Sequence, residues 1–239
     1  MRENYTLTRL FVDGALGADL SVEMSREQAH YLGNVLRKSL GDAVRIFNGI
    51  DGEWQADVTT LGKRGGVLTC TEQLRPQAIV PNVTLVFAPI RKHHTAFIIE
   101  KATELGVARL QPVITARTQF PKLNLDKARL QAIEAAEQTE RLCLPELYET
   151  LSLEAMLSGW DDNRTLIMAD EAGDCPAALD AVHPLSGPAA ILIGPEGGFD
   201  PAEREILRSK PFVCPVSLGP RILRADTAVV SLLTLWQAA

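Results

Sequence analysis

The sequence predicts an α/β protein in two parts: a small β-barrel over residues 1–72, then a mostly parallel sheet covered by helices over residues 73–239. Two observations predict this. Up to residue 72, short apolar runs are broken by glycine turns, the rhythm of a small β domain. From residue 83 onward, apolar runs alternate with stretches of helical periodicity, which implies strands joined by crossover helices. "RPQAIVPN", with Pro76 and Pro81, reads as the linker between them.

In the first part, TRLFV (8–12) is a short strand. "SREQAHYLGNVLRK" follows as a helix, with Ser25 as N-cap and Gln28 three residues on as its capping-box partner. Its Ala29, Leu32, Val35 and Leu36 recur at helical spacing. AVRIF (43–47), EWQADVTTL (53–61) and VLTCTEQL (67–74) are strands, separated by turns rich in glycine. In the second part, VTLVFA (83–88) is a buried strand, and residues 94–106 are a helix closed by Gly106. Strand 109–114 and a long helix over 125–142 follow, then strands 164–169, 189–193 and 212–217 and a terminal helix from about Asp226.

Composition narrows the class. The chain has 239 residues and a formal net charge of −6. "MRENYTLTRL" lacks the apolar run of a secretory leader, and no run is long enough for a membrane span, so a cytoplasmic protein is expected. Cys70, Cys143, Cys175 and Cys214 form no C-x-x-C pair, which predicts neither a zinc site nor a disulfide framework. The charge is uneven. Residues 89–130 hold eight Lys and Arg against three Asp and Glu, while residues 134–205 hold three against sixteen. A basic band beside an acidic one leaves room for a polyanion on one face, and a solvated mixture of charges accounts for it as well.

Two loops carry the chemistry. "AAILIGPEGGFDPAERE" (189–205) runs from a buried strand through Gly194, Gly197 and Gly198 into a helix opened by Asp200, Pro201 and Glu203. It lacks G-x-G-x-x-G and the G-K-[ST] ending of a P-loop, which counts against an NTPase. Glu196 would sit beside any anion bound there, so the loop suits a ligand without phosphates, a positively charged one included. "VSLGPRILRADTAVVSLLTLW" (216–236) repeats the scheme at the end of the next strand, through Leu218 and Gly219. Two such loops at consecutive strand ends can face one pocket, with a flat apolar group lying against Ile222 and Leu223.

"LIGPEGGFDPAE" and "LGPRILRADTA" together resemble the paired C-terminal motifs of the ribosomal RNA small subunit methyltransferase E family. "IEKATELGV" (99–107), "EAAEQTERLCLPE" (134–146) and "HYLGNVLRKSLGDAVRIFNG" (30–49) resemble its other motifs, in the same order along nearly the whole chain. The chain departs from the family's usual residues in having Ala116-Arg117-Thr118 for Glu-Arg-Ser and Asp226-Thr227-Ala228 for Glu-Thr-Ala.

The resemblance implies a SPOUT-type C-terminal domain tied in a deep trefoil knot, preceded by a PUA-like barrel that docks RNA. It implies transfer of methyl from S-adenosylmethionine to uridine N3 in 16S rRNA of the small ribosomal subunit, by a homodimer that uses no metal. That cofactor has no phosphate and carries a sulfonium cation, which makes Glu196 tolerable. The implied cofactor residues are Ile193, Gly194, Pro195, Glu196, Gly197 and Gly198 in the first loop, and Leu218, Gly219, Ile222, Leu223 and Thr227 in the second. Ala169 and Asp170 form a third wall with Glu171. Uridine N3 is protonated at neutral pH, and Arg224, Arg117 and Glu171 are the candidates to accept or stabilise that charge. Arg9, Arg37, Lys38, Arg91 and Lys92 are expected at RNA phosphates. A non-catalytic RNA-binding or assembly factor on the same fold is the alternative.

Overall fold

Strand β1 (Arg9–Phe11) runs parallel to β3 (Ala43–Phe47), and β3, β4 (Glu53–Gly62), β5 (Gly65–Arg75) and β2 (Ser21–Met24) continue the sheet antiparallel, in the order β1-β3-β4-β5-β2. This is a computed structural model that describes residues 6–183 and 187–238; residues 1–5, read above for a leader, lie outside it. The chain divides into two compact units. One holds the chain up to Ile79 together with Ala136–Leu144, and the other holds Val80–Ala135 and Pro145 onward. The expected boundary at residue 72 falls inside β5, which runs on to Arg75 to complete its pairing with Glu53.

In the first unit, alternation sends Leu10, Val44, Ile46, Val58, Leu68 and Cys70 into one core, together with Leu32 of the intervening helix. That helix starts as read. The Ser25 hydroxyl accepts from Gln28 N–H, and the Gln28 side chain accepts from Ser25 N–H. Helix α1 (Arg26–His30) then widens into a π turn over Tyr31–Val35. Arg37 ends it in a left-handed conformation, φ 55°, while Lys38 N–H donates to Leu32 C=O.

A buried charge cluster lies in the same unit. Glu53, 1% exposed, accepts from Arg9 at 2.6 Å and Arg75 at 2.9 Å, and Arg45 lies 3.7 Å away. Glu140 pairs with Arg45 at 2.9 Å and Arg75 at 3.1 Å. Burial opposes the charge on Glu53, but the bonds from Arg75 and Arg9 outweigh it and hold the carboxyl below its ordinary pKa. The helix expected over 125–142 ends earlier: α3 spans Leu125–Gln138, and Glu140 turns at φ 61°. Arg9 closes that helix end by donating to the carbonyls of Ala136, Glu137 and Arg141.

The second unit is built on parallel strands in the order β12-β10-β11-β6-β7-β8, with β9 (Leu151–Ser152) also pairing with β7. These are β6 (Val83–Phe87), β7 (Arg109–Ile114), β8 (Glu146–Leu147), β10 (Thr165–Ala169), β11 (Ala189–Ile193) and β12 (Val213–Val216). Both faces are covered, which is why β6 and β11 are buried at every position, without alternation. Leu85, Phe87, Ile191 and Ile193 pack under α2 (Lys92–Glu104) and α7 (Ala225–Ala238). Val86, Leu166, Met168 and Leu192 pack under α4 (Leu153–Ser158) and α6 (Pro201–Arg208). A short α5 (Ala178–Val182) adds to the first of these layers. Each fully buried aliphatic side chain contributes about 1.5–3 kcal/mol, so the central strands are the stable frame on which the loops are mounted.

Candidate active site

Strands β11, β10 and β12 lie side by side and parallel, so the loops at their carboxyl ends meet over one edge of the sheet. There they enclose a cleft with about 750 Å³ of free space, open to solvent. The first turn of α7 adds Ala225 and Ala228 to its lining.

The loop after β11 contributes Ile193, Gly194, Pro195 and Glu196. A Cβ on Gly194 would come within 3.0 Å of the Phe199 ring, so glycine lets the backbone rest on that buried aromatic. Gly198 N–H donates to Pro195 C=O at 2.9 Å, and Gly198 takes φ 66°. Asp200 caps α6 as the sequence predicts, with Glu203 completing the capping box.

The loop after β12 contributes Leu218, Gly219, Pro220, Arg221, Ile222 and Leu223. Ser217 ties it to the loop after β10: its N–H donates to Pro176 C=O at 2.8 Å, and its carbonyl accepts from Ala178 N–H at 2.9 Å. Ile222 is 85% exposed at the cleft's edge.

The loop after β10 contributes Ala169, Asp170, Glu171 and Gly173. Two arginines of α6 hold it. Arg208 donates to Asp170 at 2.9 Å and to Asp174 at 2.6 Å. Arg204 pairs with Asp170 at 3.2 Å and with Glu171 at 2.5 Å. Hydrogen bonds from Arg208 hold the Asp174 carboxyl far below the usual carboxylate range, and the same contacts push Arg208 up. At the base of α7, Asp226 accepts from His94 Nδ1 at 2.6 Å, which joins the first turns of α2 and α7.

Most of the sequence-derived cofactor residues therefore line one cleft. Three do not: Gly197 and Gly198 form the turn beside it, and Thr227 is exposed on α7 next to Asp226. Asp170 lines it, but its side chain is spent on Arg204 and Arg208. Of the catalytic candidates, Glu171 is ion-paired to Arg204, Arg117 donates to Gly197 C=O at 2.9 Å, and Arg224 is exposed at the start of α7. Arg9 is a correction. It is 5% exposed and saturated by Glu53 and three carbonyls, so it holds the fold and cannot reach a phosphate. Arg37, Arg91 and Lys92 are exposed, while Lys38 is half-buried and donates to Ala43 C=O at 3.3 Å. Sequence reasoning missed Gly173, Pro220, Arg221, Ala225 and Ala228. The last two had a readable signal, small residues three apart on one helix face directly after the second loop.

The donor set suits a ligand without phosphates. Three carboxylates, Asp170, Glu171 and Glu196, line the cleft against one cation, Arg221, and the rest of the lining is glycine, proline and aliphatic surface. Among the described residues no cluster of His, Cys, Asp and Glu could hold a metal, and no helix is long and apolar enough to cross a membrane.

A parallel sheet with a cleft at its carboxyl edge is where α/β proteins hold ligands, and here it is carried with a separate N-terminal sheet unit. The RNA methyltransferase domain family matches residues 77–237, and the RNA methyltransferase PUA domain family matches residues 25–69. Ribosomal RNA small subunit methyltransferase E of Rickettsia conorii is 32% identical over 226 residues, covering 93% of this chain and 92% of that protein. The Synechocystis protein of the same name is 34% identical over 222 residues, covering 88% and 70%. A Legionella pneumophila protein solved in complex with the cofactor S-adenosylmethionine superposes with a TM-score of 0.87 at 28% identity, covering 97% of each chain. The chain belongs to the ribosomal RNA small subunit methyltransferase E family.

Proposed function

We propose that this protein uses S-adenosylmethionine to methylate N3 of one uridine in 16S rRNA of the small ribosomal subunit, acting in the cytoplasm as a homodimer. The observation that carries the reading is the three-loop cleft at the carboxyl ends of β10, β11 and β12, glycine-rich and lined by more acid than base, in a chain of this family. The relatives' name supports the substrate, and the cofactor bound to the Legionella structure supports the methyl donor.

When bound, S-adenosylmethionine supplies a methyl group activated by its sulfonium. Backbone groups of Gly194 and Gly219 and the apolar surface of Ile193, Leu218 and Leu223 would hold it, with Glu196 near its positive charge. Arg117, fixed beside Gly197, would stabilise the uracil oxygen that gains charge as N3 loses its proton. Arg224 is the second candidate for that role. Glu171, engaged by Arg204, serves the loop's position instead. Exposed Arg37, Arg91 and Lys92 would bind phosphates and orient the RNA without reading its sequence. Ile222, apolar and 85% exposed at the cleft, supports a second copy of the chain closing it. The bonds that bind Ser217 to residues 176–178 fit the knotted crossing that the family implies.

The test is transfer of labelled methyl to small subunits lacking the modification, followed by mapping of the labelled base. Label at N3 of a single uridine is expected. Cofactor binding with label elsewhere, or with no label, would overturn the uridine assignment. Loss of both binding and label would overturn the methyltransferase reading.

A further inference from the structure

We infer that Arg221 and Glu196 together read the amino-acid end of S-adenosylmethionine: the Arg221 guanidinium takes its α-carboxylate, and the Glu196 carboxylate takes its α-ammonium. This deepens the methyltransferase reading above and rests on it. The two residues line the same cleft from different loops, Glu196 after β11 and Arg221 after β12. Both are exposed, and among the described residues neither side chain is engaged in a hydrogen bond or an ion pair.

Charge balance singles out this pair. Of the three carboxylates lining the cleft, Asp170 is held by Arg204 and Arg208, and Glu171 by Arg204. That leaves Glu196 as the acid able to meet a ligand's cation. Arg221 is the one cation in the lining, because Arg117 is turned to Gly197 C=O and Asp200, and Arg224 lies outside it. One available acid and one available base match a zwitterion. The planar fork of an arginine also fits a carboxylate with two parallel bonds. A ligand with an ammonium and no carboxylate would leave Arg221 unanswered, and a carboxylate alone would meet Glu196 as a like charge.

The lining also orients the ligand. Ile193, Pro195, Ala225 and Ala228 are buried and apolar, which suits the flat adenine ring. The exposed Glu196 and Arg221 leave the charged tail in contact with water, which avoids the cost of burying its ions. Backbone bonds fix both loops. Gly198 N–H donates to Pro195 C=O at 2.9 Å around Glu196, and ahead of Arg221 Ser217 is tied to Pro176 and Ala178. Gly219 N–H donates to Ser217 Oγ at 3.3 Å. The two charges are mounted on loops already in place, so binding has mainly their side chains to order.

The experiment measures by calorimetry the affinities of S-adenosylmethionine and of decarboxylated S-adenosylmethionine, which keeps the sulfonium and the amine and lacks only the carboxylate. The proteins compared are the unsubstituted chain, Arg221→Ala, Arg221→Lys and Glu196→Gln. A charge-assisted bond to an exposed arginine is screened by solvent, so the unsubstituted chain should prefer the complete cofactor by about 5- to 30-fold. Arg221→Ala should lose that preference and bind the two compounds within about 3-fold of each other, and Arg221→Lys should keep part of it. Glu196→Gln should weaken both compounds alike, since both carry the amine. An unchanged preference in Arg221→Ala would overturn the assignment, and so would an equal loss for both compounds, which a loop that had merely shifted would produce. Wild-type affinities in Arg221→Ala with methyl transfer lost would place Arg221 on the RNA and overturn it as well. If the unsubstituted chain binds neither compound, the cofactor reading fails first and takes this assignment with it.

Discussion

Replacing Glu53 by glutamine removes the negative charge on which three arginines of the N-terminal unit converge. The side chain is 2% exposed, and Arg9 beside it is equally buried. Glu140 still faces Arg45 and Arg75 after the change, at 2.9 and 3.1 Å, so the loss falls mainly on Arg9. Breaking a buried pair by removing one partner costs about 3–5 kcal/mol, and glutamine's retained carbonyl places this case near the lower figure. For a unit of this size that lowers the melting temperature by about 10–20 °C. Urea unfolding would report it through the fluorescence of Trp54, which sits in the same unit, with Trp160 and Trp236 changed to phenylalanine. Acid adds a second readout. Because the folded carboxyl titrates below its unfolded value of 4.5, its contribution is fully present above that pH and is lost as pH falls through the folded pKa. The gap between wild type and variant should therefore be flat near neutrality and close on acidification. A gap under about 1 kcal/mol at pH 7, or one that persists unchanged in acid, would refute the hub.

Further perturbations test the site and its supports. Gly198→Ala places a methyl group at φ 66° and against the Glu171 carboxylate, costing about 1–2 kcal/mol, so calorimetry should give about 5- to 30-fold weaker S-adenosylmethionine binding. Arg208→Ala releases Asp174 and leaves buried Asp170 with Arg204 alone, which should weaken cofactor binding by about 10-fold or more and lower the melting temperature. Arg37→Gly relieves a left-handed backbone and should raise stability by about 1 kcal/mol in urea while weakening affinity for small subunits, two effects of opposite sign in separate assays.

The parts of the fold legible in the sequence are those set by local chemistry. The spans of β3, β7 and β11 follow from their apolar runs, and the caps at Ser25 and Asp200 follow from side chains three residues apart. Strands β2, β8 and β9 are two to four residues long, too short for periodicity to register. The two glycine loops announced the cleft, because glycine and proline at a strand end signal close backbone approach. What stayed hidden depends on partners remote in sequence. Arg9 looks like a surface cation in a short strand, and only Glu53 and the carbonyls some 127 to 132 residues away draw it inside. Asp170 looks like a ligand until Arg208, 38 residues on, claims it.

The N-terminal unit is finished by a stretch of chain made long after its strands. All five strands exist once Arg75 has been synthesised, yet Glu140, the second acid facing Arg45 and Arg75, comes 65 residues after Arg75. The carbonyls that receive Arg9 come equally late. During vectorial synthesis the young sheet must wait, with its cations only half-neutralised, until residues 136–144 emerge and latch it. A fragment cut at the proline linker keeps every strand and lacks the latch, so it is an unfinished object rather than an excisable module.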